Sequence, residues 1–121
     1  MSSGPFRPRY PEAEWQRQVI QVARTFGWRV AHFRPSLRQS GRWSTAVAAD
    51  GAGFPDLVLV HKLTGDLIFA ELKRDVGKLR PEQEQWKAAI QAGGSRRFEL
   101  WRPRDFEAVR ARLMVHHEGK P

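Results

Sequence analysis

Three charged residues stand at the ends of two short apolar runs: Asp56 opens DLVLV, while Glu71 and Lys73 close LIFAELK. Charged groups seldom adjoin buried strands unless a partner or a metal compensates them, so these three are candidates for chemistry. Side chains alternate along a strand, which puts Leu67, Phe69, Glu71 and Lys73 on one face and Ile68, Ala70 and Leu72 on the other. A symmetric turn about Thr64-Gly65 pairs Leu63 with Asp66 and, carried along the ladder, sets Asp56 opposite Lys73 and diagonal to Glu71. A three-residue turn would move the register by one and part the groups onto opposite faces, unless a bulge compensated. Two carboxylates and an ammonium on one face suit phosphodiester hydrolysis. The carboxylates are hard oxygen ligands for Mg2+ or Mn2+, which polarise a phosphoryl group and lower the pKa of a bound water. Lys73 is suited to position or deprotonate the attacking water, or to stabilise developing negative charge. The same spacing also fits a plain ion pair of Lys73 with Asp56 or Glu71 at a sheet edge.

The elements that must position these residues follow from periodicity and turn chemistry. Residues 1–10 form an aperiodic basic lead-in, and 116–121 a loose tail, around a single domain over 11–115. From Pro11 the spacing predicts a helix with Trp15, Val19, Val22, Ala23 and Phe26 on one face, stopped at Gly27. WRVAHF, residues 28–33, reads as a strand, and residues 35–53 as a long loop of the kind that is usually functional or disordered. DLVLV and LIFAELK form a β-hairpin whose continuous hydrophobicity predicts cover on both faces. Pro81 opens a helix to about Ala92 that is ended by Gly93-Gly94; RRFELW is a further strand, and a last helix begins at Asp105 with Phe106, Val109 and Leu113 inward. The order is αβββαβα: an α/β domain, a mixed sheet flanked by helices.

Composition narrows the function classes. The 121 residues fit one domain, with 40% hydrophobic and 28% charged residues, so general disorder is excluded. The formal charge of +8 attracts polyanions, nucleic acid foremost, though a ribosome-associated protein would share it. The lack of Cys excludes disulfides, thiolate catalysis and Cys-ligated zinc. No apolar run reaches the roughly 18 residues of a membrane span, and no signal peptide is evident, so a cytoplasmic location is expected. None of the four His residues shows metal-ligand spacing.

The segment GFPDLVLV, followed by ELK fifteen residues after its Asp, resembles the PD-(D/E)xK nuclease motif in Pro55-Asp56 and Glu71-Leu72-Lys73. More narrowly, residues 12–102 are similar to the virus-type replication-repair nuclease (VRR-NUC) domain. That family has an acidic residue early in helix one, a Gly-x-Pro-Asp strand, a Glu-x-Lys strand and a Gln on the following helix. The resemblance implies a restriction-endonuclease-like, Holliday-junction-resolvase-like fold. It implies Mg2+ or Mn2+ held by Asp56, Glu71 and the Leu72 carbonyl, with Glu14 completing the shell and Lys73 as catalytic lysine. Gln83 is preferred to Gln85 as the site glutamine because it follows Pro-Glu and lies one turn before Trp86. The expected activity is cutting of branched or structured DNA in replication, repair or recombination in a bacterium or bacteriophage. A catalytically inactive or partner-dependent binding module is the alternative. Arg34, Arg38, Arg42, Arg74, Lys78 and Arg80 flank the site in sequence and are expected to neutralise phosphates, with Trp43 stacking on an unpaired base. One active site cuts one strand, so a homodimer is expected for duplex or junction cleavage.

Overall fold

Trp15, Val19 and Ala23 recur at helical spacing, and Glu12–Thr25 forms helix α1 with these three side chains fully buried. The computed structural model describes residues 12–33, 36–37, 43–44 and 49–118, with the backbone alone at 36–37, 43–44, 95 and 115–118. After α1 the chain turns at Gly27 into β1 (Trp28–His32). Two short strands follow, β2 (Ser36–Leu37) and β3 (Trp43–Ser44), paired antiparallel in a small sheet of their own. The long loop expected over 35–53 therefore contains a hairpin. Strands of two residues are too short to display any period, which is why the sequence hides them.

The main sheet has the order β1-β4-β5-β6, with β4 at Leu57–His61, β5 at Leu67–Leu72 and β6 at Phe98–Trp101. The β1, β4 and β5 pairings are antiparallel and β6 runs parallel to β5. The parallel connection passes through α2 (Pro81–Gln91) and a 3-10 turn at Ser95–Arg97. The last helix, α3, spans Phe106–Glu118 after a 3-10 turn at Pro103–Asp105, and so continues into the tail expected to be loose. No helix among the described residues is long and apolar enough to cross a membrane.

One face of the sheet, through Leu57, Leu59, Ile68, Ala70, Leu72 and Trp101, packs under α1 and α3 to form the core. Two buried indoles tie the layers together, because a buried N–H must find an acceptor: Trp15 Nε1 donates to the Trp101 carbonyl at 3.2 Å and Trp28 Nε1 to that of Leu113 at 2.9 Å. Among the described residues, α2 meets the opposite face through the Gln83 bond to Glu71 on β5 and through its contacts with β6. On β4 that face stays half open, with Val60 38% exposed, so the expected cover on both faces holds for β5 and not for β4.

The β4–β5 hairpin corrects the expected register by two residues: Leu57 faces Ala70 and Val60 faces Leu67. The turn takes four residues, Lys62 to Gly65, because His61 ends β4 instead of continuing it. The His61 ring accepts the Leu63 N–H at 3.2 Å through Nδ1, and its Nε2 lies 3.1 Å from the Phe26 carbonyl, which pins the chain there. Gly65 closes the loop at φ 75°, donating its N–H to the His61 carbonyl at 2.9 Å. A shift of two leaves every side chain on its expected face, since the strand period is two. Asp56 is thereby carried opposite Glu71 and diagonal to Lys73.

Candidate active site

Asp56 stands just before β4, where its main chain and side chain bridge two neighbouring strands. Its carbonyl accepts the Phe33 N–H at 3.0 Å beyond the end of β1, and its Oδ2 accepts the Leu72 N–H at 2.9 Å on β5. The carboxylate thus substitutes for a ladder acceptor and is fixed in place. In an extended strand one residue's N–H and C=O point to the same side, so the Leu72 carbonyl also opens towards Asp56.

Glu71 lies across from Asp56 and is 3% exposed. Its Oε2 accepts the Gln83 Nε2–H at 2.8 Å, while Oε1 is buried with no hydrogen-bond partner among the described residues. Burial pushes the Glu71 carboxyl up to about 8, helped by the neighbouring charge of Asp56; the Lys73 and Arg80 charges oppose the rise. The Asp56 carboxyl is also raised, by burial first and against the Leu72 N–H bond. Two carboxylates crowded in a dry site, one with an orphaned oxygen, need a proton or a cation to offset their desolvation. The donor set therefore fits a hard divalent cation. Among the described residues no group of three His, Asp or Glu side chains converges to hold a metal.

Lys73 follows on the same face, half-buried, and its charge acts on both carboxyls. It forms no ion pair within 4 Å among the described residues, so the sheet-edge ion pair with Asp56 or Glu71 that the spacing also allowed is not formed. Its N–H donates to the Trp101 carbonyl at 3.1 Å, and the following loop is strapped from β6 and the turn after it. Arg102 reaches the Arg74 carbonyl at 2.7 Å and the Gly77 carbonyl at 2.8 Å, and Arg104 reaches the Asp75 carbonyl at 2.7 Å. Sequence reasoning assigned nothing to these two arginines, since their partners are backbone carbonyls far along the chain.

Between the two glutamines left open by the sequence, the structure brings Gln83 to the site: it is 5% exposed, whereas Gln85 is exposed. Its Oε1 accepts the Arg80 N–H at 2.7 Å, half of a capping box for α2, which orients the amide so that Nε2 faces Glu71. Gln83 thus bonds a carboxylate at one end and the helix cap at the other. Glu14 is not brought into this cluster. It lies off the buried stripe of α1 and pairs with Arg17 at 3.0 Å. The α1 carboxylate whose charge acts on Asp56 is Glu12, which sequence reasoning missed. Its signal was helical spacing, since Glu12 precedes Trp15 by three residues and Val19 by seven, on the stripe that faces the sheet.

Gly53 in the approach to Asp56 sits at φ 82°, and a Cβ there would lie 2.6 Å from the Glu82 Cβ and 2.9 Å from the Gln83 nitrogen. The loop can therefore press against the start of α2 only as glycine. An aromatic cluster supports it: Phe54 stands edge-on to Phe33, Phe69 and Trp86, and Trp86 Nε1 donates to the Asp50 carbonyl at 3.0 Å. Of the basic residues, Arg80 lies close enough to lower the Glu71 pKa, Arg74 is half-buried and Lys78 is exposed on the strapped loop. Arg34, Arg38, Arg42 and the side chain of Trp43 lie outside the described residues.

A four-stranded mixed sheet with helices on both faces, and a carboxylate pair and lysine where two strands end, make up this small α/β domain. The model of the VRR-NUC domain matches residues 36–101, more than half of the chain, and the chain belongs to that family. A solved structure described as a VRR_NUC domain superposes with a TM-score of 0.57 at 21% identity, covering 88% of this chain and 96% of that one; at such identity the likeness speaks for the fold. No curated protein matches the sequence.

Proposed function

We propose that this chain is a divalent-metal-dependent endonuclease that hydrolyses DNA phosphodiester bonds, acting on branched or otherwise structured DNA in replication, repair or recombination. The observation that carries this reading is the meeting of Asp56, Glu71 and Lys73 at adjoining strand ends, with Glu71 Oε1 buried and unpaired among the described residues. Asp56, Glu71 and the Leu72 carbonyl would hold Mg2+ or Mn2+, which when bound supplies charge neutralisation at the phosphoryl group and a more acidic water. The Leu72 N–H and the Gln83 amide hold the two carboxylates in fixed rotamers, so no reorganisation is needed at the moment of reaction. Lys73 brings its ammonium to the same face, where it orients the attacking water or stabilises charge on the non-bridging phosphate oxygens. Arg80, with Arg74 and Lys78, holds the flanking phosphates. Scission of both strands calls for two such centres, hence two copies of the chain.

Labelled duplex, flap and four-way-junction DNA incubated with Mg2+ or Mn2+, and with EDTA as control, tests the proposal. Metal-dependent cutting of at least one substrate is expected. Asp56→Ala should lose cutting by at least about a hundredfold, because even residues that merely orient metal ligands contribute up to that amount, while DNA affinity is retained. Folded wild-type protein that leaves all three substrates intact with either metal would remove the enzyme reading.

A further inference from the structure

Along the outer edge of the sheet, α1 and β1 bound an open groove of about 1070 Å³ that continues onto the half-open strip of β4. Among the described residues its lining contains Arg17, Arg24, Arg29 and Lys62 and not one acidic residue, although the chain has 13 Asp and Glu to distribute. Arg24, Arg29 and Lys62 are exposed and form no ion pair among the described residues; Arg17 alone has a partner, Glu14. Like charges gathered without counter-charges repel one another, a cost that a bound polyanion relieves. Among the described residues β1 pairs within the main sheet with β4 alone, so there its outer edge carries backbone N–H groups of the kind that bond phosphate oxygens.

The groove also has a direction. Ala13 at one end follows Glu12, whose charge acts on Asp56, and His32 at the same end pairs with Leu57, the residue after Asp56. From there it follows α1 towards Lys62, roughly 18 Å at the rise of an α-helix. That length spans about five phosphates at roughly 3.4 Å per nucleotide of one strand.

We infer that this groove is a second nucleic-acid contact, separate from the basic loop after Lys73, and that it carries the sugar-phosphate backbone of the strand as it leaves the carboxylate centre. The strand's direction rests on the nuclease reading; the affinity for a polyanion rests on the charge of the groove alone. Most of the contacts are to phosphate, so the groove adds affinity and register without reading sequence.

The test measures binding of a fluorescent 30-base-pair duplex in EDTA over a range of salt concentrations. It compares wild type, the triple variant Arg24→Gln/Arg29→Gln/Lys62→Gln, and a control with equal charge loss, Arg96→Gln/Arg97→Gln/Arg110→Gln. The groove variant should flatten the dependence of log Kd on log salt by about 2.5 to 3, and the control by well under one. Circular dichroism and an unchanged melting temperature establish that each variant is folded. Equal slopes in wild type and groove variant overturn the inference, as does a control that loses as much as the groove variant. A groove variant that loses binding to poly-glutamate while keeping the DNA slope also overturns it, in favour of an acidic protein partner. Metal-dependent cutting by the wild type is scored in parallel. Cutting with unchanged slopes rejects the groove and leaves the nuclease reading intact, whereas a flattened slope without cutting supports the groove and rejects the active site.

Discussion

A carboxyl shut in a dry pocket beside another carboxyl holds its proton more tightly than one in water, and Glu71 is such a group, raised from an ordinary 4.5 to about 8. The folded chain therefore binds this proton better than the unfolded chain does. Its contribution to stability is complete below about 4.5 and is lost as pH rises through about 8. Thermal melts of metal-free protein in EDTA should show wild type losing stability relative to Glu71→Gln across that window, and Mn2+ should restore it at the alkaline end. A difference that grows in favour of wild type with rising pH contradicts the burial argument. Gln83 belongs to the same scale, since its amide is spent on Glu71 and on the Arg80 N–H. Gln83→Ala should slow single-turnover cutting by about 10- to 100-fold and cost about 1 kcal/mol through the lost half of the cap. Cutting at the wild-type rate would show that Glu71 keeps its position unaided.

At the scale of elements, the site depends on three segments arriving at one place: the loop before β4, the end of β5 and the start of α2. Gly53 is where the first and third touch. Gly53→Ala must place a Cβ 2.6 Å from that of Glu82 and hold a left-handed φ, so α2 is pushed back and Gln83 moves off Glu71. The expected cost is about 1 to 3 kcal/mol in urea denaturation, with a loss of cutting greater than the stability change alone explains. A Gly53→Ala protein with full activity would mean that the approach of loop to helix is dispensable. The hairpin shows how much of this was legible. The alternation in LIFAELK put Glu71 and Lys73 on one face, and the even turn kept Asp56 with them, although the pairing itself was displaced by two. That displacement came from His61, whose ring is tied to Phe26 and Leu63 by contacts that no local pattern displays.

For the whole molecule, the sheet is held to its helices by a few long-range contacts, of which Trp28 to the Leu113 carbonyl is the clearest. Trp28→Phe should cost about 1 kcal/mol by removing the indole N–H bond that ties β1 to α3, with cutting intact in the fraction that remains folded, as read by chemical denaturation beside an activity assay. A neutral result would mean that packing alone holds α3 on the sheet. The sequence by itself determined what is periodic or local: α1, α2 and α3, the four strands of the sheet, the Pro-Asp and Glu-x-Lys pair, and the faces on which these residues lie. Such features follow from spacings of 2 and 3.6 residues and from turn chemistry, which neighbours along the chain enforce. Only the tertiary structure decided that Glu12 and not Glu14 acts on Asp56, that Gln83 and not Gln85 meets Glu71, and that Arg102 and Arg104 strap the loop after Lys73. Each of those choices turns on a helix rotation or a backbone partner up to tens of residues away, and a linear pattern leaves both undetermined.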